Sequence, residues 1–281
     1  MAMDYSRYEF LKVEVAERVA TVTLNRPPLN AIHAPLHHEL ELVWPDLAAD
    51  PDVNAILLAS NCSVFSIGGD MEEGVASGSV WEPSGPTGVG RGRGPLTQAN
   101  GRRLVQNMLD VEQPIVAAIN GDAFAWAANM ALFCDITVMS ETASIADTHV
   151  KHGIVAGDGG AVIWPLLIGP QRAKEFLMRG NSITGAEACR IGLVNYAVPA
   201  EQVKSKARAL AQELADGPTW AIRYTKLAVN KWLKDQTNLI LDASLAYEMM
   251  TFKTNDHREA MKAIAEKRKP NFTWEDYMTS K

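Results

Sequence analysis

The chain has 281 residues, of which 47% are hydrophobic and 21% are charged, and its net charge is −6. This balance excludes an intrinsically disordered chain, and the acidic charge offers no overall basic field to a nucleic-acid backbone. The three cysteines lie far apart without a C-x-x-C pair, which excludes a zinc ribbon or a disulfide framework. Because no secretory signal and no apolar run of about 18 residues is visible, we expect a cytoplasmic protein that does not cross a membrane.

Strands and helices alternate over the first 200 residues. Alternating apolar positions predict short strands at 10–15 and 19–25, and apolar residues at helical spacing predict a helix over 34–48, within which Pro45 can act as a stop. This order favours an α/β class with mostly parallel strands. The pattern continues with buried-type strands at 54–60, 115–120, 135–141, 143–147 and 194–199, and with a further helix at 96–111.

Two later stretches have a different character. Residues 74–95 are rich in Gly, Ser and Pro, which predicts a mobile loop at the mouth of the active site. The GRGRG sequence within it indicates a lid or surface loop rather than an RNA-binding tail. From Pro199 onward the pattern is helical, with separate helical stretches at 220–233 and 239–252 and expected breaks at Gly217 and Asp256. We therefore divide the chain into an α/β core, 1–200, and a helical C-terminal segment, 201–281.

Common catalytic signatures are absent from the sequence, including GxxxxGK[ST], GxGxxG, HExxH and GxSxG. His33 and His37 lie four residues apart on the first predicted helix, a spacing that can hold a metal ion. No third ligand is evident nearby. We therefore expect no metal site and interpret both side chains as surface histidines.

Three segments are candidates for a functional site. In residues 65–70 (FSIGGD), a Gly-Gly bend after a strand can turn backbone N–H groups toward an oxyanion, although a simple tight turn is the alternative. Residues 117–121 lead into a helix whose N-terminus offers unpaired N–H donors. Residues 147–160 place Asp147, His149 and His152 among glycines. A carboxylate beside an imidazole fixes its tautomer and suits it to general base catalysis.

Four stretches of the chain resemble the crotonase superfamily, the enoyl-CoA hydratase/isomerase family. They lie in the family's order and span nearly the whole chain: TLNRPPLNAI, FSIGGDMEE, PIVAAINGDAFAWAANMALFCDI and FKTNDHREAMKAIAEKRKPNF. The resemblance implies a spiral core of repeated ββα units followed by a helical C-terminal trimerisation region. It also implies a homotrimer, or a homohexamer made of two trimers.

The resemblance further implies an oxyanion hole that stabilises an enolate, usually that of an acyl-CoA. Its two backbone N–H donors correspond to Ile67 and Trp126, and backbone donors survive the replacement of side chains. The same segments suggest Trp126, Gly68, Gly157 and Trp164 as substrate contacts. Coenzyme A would enter only as part of the substrate, and no other cofactor is implied.

The chain departs from the hydratase pattern at both catalytic glutamates, where it has Asn129 and His149. Asn129 cannot titrate, and His149 differs in pKa and geometry, so the usual hydratase mechanism does not transfer directly. The stretch from His149 through GIVAGDGGAVIWP resembles a smaller branch, 6-oxocamphor hydrolase and related β-diketone hydrolases. In that branch a histidine and an aspartate lie nine residues apart, as His149 and Asp158 do here.

The likeness to this branch also suggests Glu248 as a supporting carboxylate, whereas the branch's second histidine falls near Trp126. Three functions remain open at this point. His149 and Asp158 can serve as the acid–base pair of a lyase or isomerase acting on a CoA thioester, or of a C–C hydrolase acting on a cyclic β-diketone. Alternatively, the protein is a silent subunit that binds acyl-CoA or a partner. The basic run at 267–269 can contact a CoA phosphate or form a solvated helix end.

Overall fold

The centre of the molecule is a twisted six-stranded sheet. The computed structural model describes residues 3–70 and 98–273. The strands are β1 (Leu11–Ala16), β2 (Val19–Leu24), β3 (Ala55–Ser60), β4 (Ile115–Ile119), β5 (Ala123–Phe124), β6 (Ile136–Ser140), β7 (Ser144–Ala146), β8 (Ile183–Thr184) and β9 (Tyr196–Val198). The large sheet has the order β1-β2-β3-β4-β6-β9, and a small second sheet has the order β5-β7-β8.

Helices follow most of the strands and dominate the end of the chain. They are α1 (Ala34–Ala49), α2 (Gln98–Asp110), α3 (Trp126–Leu132), α4 (Gly160–Ile168), α5 (Pro170–Arg179), α6 (Gly185–Arg190), α7 (Val203–Asp216), α8 (Thr219–Thr251) and α9 (Asn255–Ala265). In the large sheet β1 and β2 pair antiparallel, and the other neighbouring strands pair parallel. The predicted α/β class is thus confirmed.

Helices cover both faces of the large sheet. On one face α7 presents Val203, Ala207, Ala211 and Ala215, which lie four residues apart and pack against β3, β4 and β6. On the other face α1 and α2 contribute to the main core. Burial from both sides explains why β3 is buried at every position and appears in the sequence as an uninterrupted apolar run.

The helix α1 continues through Pro45 instead of ending there. A proline inside a helix lacks the N–H that would bond to the carbonyl four residues earlier, here that of Glu41. In this structure the Asn107 side chain on α2 supplies the missing donor, with its Nδ2 at 2.8 Å from the Glu41 carbonyl oxygen. A contact between two helices, which the local sequence pattern does not reveal, therefore compensates for the proline.

The C-terminal segment differs from expectation in one respect. The sequence suggested separate helices around 220–233 and 239–252, but both belong to the single 33-residue helix α8. No glycine or proline interrupts the polar linker between them, so the backbone remains helical. The predicted loop at 74–95 lies outside the described residues. Within the described ranges, no helix has the length and apolar character needed to cross a membrane.

Candidate active site

The imidazole of His149 lies between two carboxylates. Its Nδ1 is 2.6 Å from Asp147 Oδ1, and its Nε2 is 3.1 Å from Asp158 Oδ2. Asp147 follows β7, His149 begins a short 3₁₀ turn, and Asp158 precedes α4. The sequence placed Asp147 in the candidate segment without a role, yet its D-x-H spacing allows the carboxylate to reach the ring two residues later.

The electrostatics of this chain favour a charged imidazole. Burial alone would lower the pKa of His149, but the carboxylates of Asp147 and Asp158 raise it well above its usual value. Burial alone would likewise raise the pKa of Asp147, but the charge and hydrogen bonds of His149 hold it below its usual value. Both ring nitrogens therefore act as donors in the resting site, which makes the imidazole and its two carboxylates one coupled unit.

Asn129 holds the two carboxylates in place. Its Nδ2 donates to Asp147 Oδ2 and to Asp158 Oδ1, both at 2.9 Å. Its Oδ1 accepts a 3.0 Å hydrogen bond from the indole N–H of Trp164. Trp164 is fully buried and orients Asn129 from behind the site, whereas its role as a substrate contact stays a prediction.

Asp158 does not act as a helix cap. The capping position of α4 is Gly159, and no side-chain hydrogen bond caps that helix. The Asp158 carboxylate instead contacts Asn129 and His149. Its side chain is 14% exposed, against 1% for that of Asp147. Asp158 is therefore the carboxylate of this pair that is better placed to meet water or substrate.

Glu248 approaches the same group from the long helix α8. Its carboxyl lies beside Gly157, where a Cβ added to the glycine would come within 2.6 Å of Glu248 Oε2. Burial raises the pKa of Glu248 well above its usual value, and the nearby Asp158 carboxylate raises it further, against the opposing effect of His149. Burial and the Asp158 charge therefore favour the neutral acid form of Glu248.

The two segments predicted to form an oxyanion hole lie side by side. Ser66 and Ala123 form a parallel bridge, and Phe124 N donates to Ser66 O at 3.0 Å. This pairing places Gly68, which follows Ile67, against Phe124 and Ala125, the two residues that precede Trp126. The Ile67 N–H donates to Leu29 O at a long 3.3 Å, so it can serve a substrate only after that bond opens.

Ala125 shapes the start of α3. Its φ of 52° and ψ of −131° lie in a region that L-amino acids other than glycine rarely adopt. Its own N–H donates to Ala146 O at 2.9 Å, whereas the Trp126 N–H that follows has no hydrogen-bond partner among the described residues. The strained backbone of Ala125 is thus followed directly by the unpaired N–H of Trp126.

The comparisons with known proteins agree with this fold. Residues 14–275 match the model of the family described as enoyl-CoA hydratase/isomerase. A probable enoyl-CoA hydratase of Mycobacterium bovis is 31% identical over 276 residues, which cover 95% of this chain and 98% of that protein. The chain belongs to the enoyl-CoA hydratase/isomerase family.

Solved structures of similar proteins show the same architecture. An enoyl-CoA hydratase/isomerase from Mycobacterium paratuberculosis has a TM-score of 0.81 and 29% identity, with 92% of this chain and 99% of that chain covered. A β-diketone hydrolase from the cyanobacterium Anabaena, solved with (S)-3-oxocyclohexyl acetic acid, has a TM-score of 0.77 and 26% identity, with 88% and 96% covered. The expected crotonase-like core is confirmed, whereas the trimer contacts of the C-terminal helices stay a prediction.

Close packing requires glycine at the two positions that were suggested as substrate contacts. Gly68 has a φ of +84°, and a Cβ there would lie 2.9 Å from the Ala125 Cβ and the Phe124 carbonyl oxygen. A Cβ on Gly157 would lie 2.5 Å from the Glu248 Cβ and the Ser244 carbonyl oxygen. Both positions exclude larger residues whether or not substrate approaches them.

The first-helix histidines are not a pair of surface residues. His37 is buried, with its Nδ1 3.4 Å from Glu41 Oε1 and its ring 6.0 Å from that of Trp126. His33 packs edge-on against Phe10, and burial lowers its pKa to about 4. Within the described ranges, the cluster with metal-ligand spacing is instead Asp147, His149 and Asp158, whose ligand atoms lie within 4.8 Å of one another. Both nitrogens of His149 already face carboxylates there.

The basic run at 267–269 is partly neutralised within the chain. The guanidinium of Arg268 contacts Glu259 at 2.5 Å and Glu266 at 2.6 Å. A CoA phosphate would have to displace these carboxylates to bind Arg268. The structure therefore favours the solvated helix end over the phosphate contact for this residue.

Proposed function

We propose that this protein hydrolyses a carbon–carbon bond in a β-diketone, with His149 and Asp158 as the acid–base pair. The observation that carries this proposal is the buried unit of one imidazole between two carboxylates, at the place where hydratases of the family have glutamate. Its likeness to the β-diketone hydrolase of Anabaena supports the same interpretation. The substrate class follows from that likeness together with the His149–Asp158 spacing.

In the proposed reaction the pair accepts a proton from water through Asp158, the more exposed carboxylate. The hydroxide attacks one carbonyl carbon, and the bond from that carbon to the carbon between the two carbonyls breaks. The electron pair of that bond moves to the second carbonyl as an enolate, which the Ile67 and Trp126 amides stabilise. The pair then returns the proton to the enolate carbon, which leaves a ketone and a carboxylic acid.

The remaining polar residues of the site have supporting roles in this scheme. Asp147 stabilises the imidazolium from the Nδ1 side, and Asn129 keeps both carboxylates at their positions. Glu248, as a neutral acid, adds no further negative charge beside Asp158 when a proton leaves the pair. The neutral Glu248 thereby limits the negative charge around His149 and Asp158, which allows Asp158 to exchange a proton.

A second candidate function is a reaction on a CoA thioester. It is favoured by the 31% identity to the probable enoyl-CoA hydratase of Mycobacterium bovis over nearly the full length of both chains. The same amides would stabilise a thioester enolate, and the His149–Asp158 pair would replace the two glutamates. A silent acyl-CoA-binding subunit is the third possibility, and it predicts binding without turnover.

A side-by-side assay separates these functions. Purified protein is incubated with crotonyl-CoA and with a bicyclic β-diketone, and the products are identified by mass spectrometry. We expect addition of one water and ring opening to a keto acid with the diketone. Hydration of crotonyl-CoA alone would favour the second candidate, and binding of either compound without any product would favour a silent subunit.

Variants of the pair test the roles of its members. His149→Ala and Asp158→Asn should each lower turnover by about 10² to 10⁴, the usual contribution of a positioned acid or base. The double variant should lose little more than the worse single variant, since the two residues act as a unit. A fully active Asp158→Asn variant with only a lower melting temperature would contradict the catalytic role.

A further inference from the structure

The backbone that follows His149 is held by the two C-terminal helices. From α8, the Ser244 hydroxyl donates to Gly157 O at 2.7 Å, and the Thr251 hydroxyl accepts from Val155 N at 3.1 Å. From α9, His257 Nδ1 lies 2.8 Å from His152 O. The C-terminal segment therefore contacts the backbone at three points between His149 and Asp158, the two members of the acid–base pair.

His257 makes the contact nearest to His149. It lies in the first turn of α9 and is 3% exposed. The Thr254 side chain caps this helix and accepts from the His257 N–H. A Cβ at Gly153 would lie only 2.7 Å from His257 N and from the Asp256 carbonyl carbon, so the end of α9 rests directly on the residue after the turn.

The chemistry of the contact defines the tautomer of His257. A carbonyl oxygen only accepts, so Nδ1 carries the proton, and burial lowers the pKa of His257 and keeps the ring neutral. The buried Nε2 has no hydrogen-bond partner among the described residues. An apolar ring would avoid that unpaired nitrogen, so packing alone does not explain a histidine here.

We propose that His257 is a positioning residue, whose Nδ1–H bond to the His152 carbonyl holds the 149–152 turn and thereby keeps the His149 imidazole between Asp147 and Asp158. The turn is a single four-residue 3₁₀ segment, followed by Gly153 in the left-handed region. The turn has backbone hydrogen bonds of its own, from Gly153 N to Val150 O and from Ile154 N to His149 O, and the His257 bond ties its last carbonyl to another helix. His257 touches neither water nor substrate in this role, and the value of the role for turnover rests on the proposed function.

The first test needs no variant. Histidine-selective NMR of the intact protein, which has six histidines, reports the tautomer of His257. The proposal requires a neutral ring protonated at Nδ1, and a ring protonated at Nε2 would overturn it.

The second test compares two substitutions. His257→Phe keeps a ring against Phe252, which it meets edge-on at 5.1 Å, but removes the donor. His257→Asn removes the ring but keeps an N–H donor near the Nδ1 position. The titration of His149 is followed in each, with Asp147, Asp158, Glu248 and His152 as the titratable groups that face it.

With His257→Phe, we expect the pKa of His149 to fall toward its usual value and turnover to fall by up to about 10²-fold, as for a misplacement of about 1 Å. Because His257→Asn keeps a donor, the pKa of His149 and the turnover of this variant should stay near those of the wild type. As a control, Thr184→Ala removes the cap of the distant helix α6 and should lower the melting temperature without changing the titration of His149.

Three results would overturn the proposal. They are an unchanged His149 titration in a folded His257→Phe variant, a shift in His257→Asn as large as that in His257→Phe, or a shift of the same size in Thr184→Ala. If His257→Phe does not fold, the tautomer and the His257→Asn variant decide. If the titration shifts as expected but neither class of substrate reacts, the positioning role stands and the proposed function fails.

Discussion

At the scale of single residues, the imidazole of His149 contacts the carboxylates of Asp147 and Asp158, and the buried carboxyl of Glu248 lies near them. The two neighbouring carboxylates favour a charged imidazole at His149, and burial favours the neutral form of Glu248. Such an arrangement couples the protonation of the site to folding, because several groups titrate differently in the unfolded chain.

Glu248 should therefore make stability depend on pH. Its pKa is raised on folding, so above the unfolded value of about 4.5 the folded protein retains a proton that the unfolded chain releases. The stabilisation is complete below the unfolded pKa and is lost as pH rises through the folded pKa. The pKa of His149 is also raised on folding, so its contribution to stability is likewise lost as pH rises above about 6.5.

Replacing Glu248 by glutamine keeps the neutral shape and removes the titration. We expect the free energy of unfolding of the wild type to fall more steeply between about pH 5 and pH 9 than that of Glu248→Gln. Urea denaturation at a series of pH values measures this difference. Glu213→Gln, which changes an exposed carboxyl on α7, is the control, and parallel curves for wild type and Glu248→Gln would contradict the prediction.

At the scale of elements, two helices depend on features that local propensity disfavours. α3 starts after a residue in a strained conformation, and α1 contains an internal proline. In each case a neighbouring element accommodates the exception: β7 accepts the Ala125 N–H, and α2 bonds to the carbonyl that Pro45 leaves free.

Relief of the strain at Ala125 should stabilise the protein. Glycine adopts a positive φ without the steric cost that alanine has, so Ala125→Gly should raise the free energy of unfolding by about 1 kcal/mol. Ala127→Gly, two residues later inside α3, should instead lower it by about 1 kcal/mol, because glycine is unfavourable in a helix interior. Chemical denaturation measures both, and equal losses in the two variants would show that Ala125 is not strained.

The bond between α1 and α2 can be tested with a double-mutant cycle. Asn107→Ala leaves the carbonyl of Glu41 without its donor and should cost about 1 kcal/mol. In a Pro45→Ala background the new N–H at position 45 can bond to that carbonyl, so the same change should cost less. Equal costs in both backgrounds, measured by urea denaturation, would show that the bond does not compensate for the proline.

At the scale of the whole molecule, α8 presents an unusually apolar exposed face. Leu241 and Leu245 are buried in the chain's own core, but Leu239 is 74% exposed. An open apolar groove of about 620 Å³ lies beside the first half of the helix. Other large exposed side chains of α8 are Trp220, Tyr224, Val229, Trp232, Tyr247 and Met250. Apolar surface of this extent is typical of an interface between subunits.

We expect light scattering at micromolar concentration to give three or six times the chain mass of 30.6 kDa. Leu239→Asp places a charge on the exposed face of α8 and should lower this mass. Met178→Asp, at a 67% exposed position on α5, should leave it unchanged. A wild-type mass equal to that of one chain would contradict the predicted assembly.

The sequence by itself determined the class of fold and the identity of the main catalytic candidates. Periodicity and apolar runs located the strands because a strand buried on both faces, such as β3, must be apolar throughout. The four family-like stretches and the spacing of His149 and Asp158 indicated the site. These features are local in the chain, so they can be recognised without knowledge of contacts.

Only the tertiary structure decided how the candidates are used. It placed Asp147 beside Nδ1 of His149 and the indole N–H of Trp164 against Asn129. It also brought Glu248 and His257 to the site from the C-terminal helices. Residues 147 and 257 are 110 positions apart in the chain, and no periodicity links them. Protonation and orientation of a buried group depend on which distant side chains surround it, and that is settled only when the chain has packed.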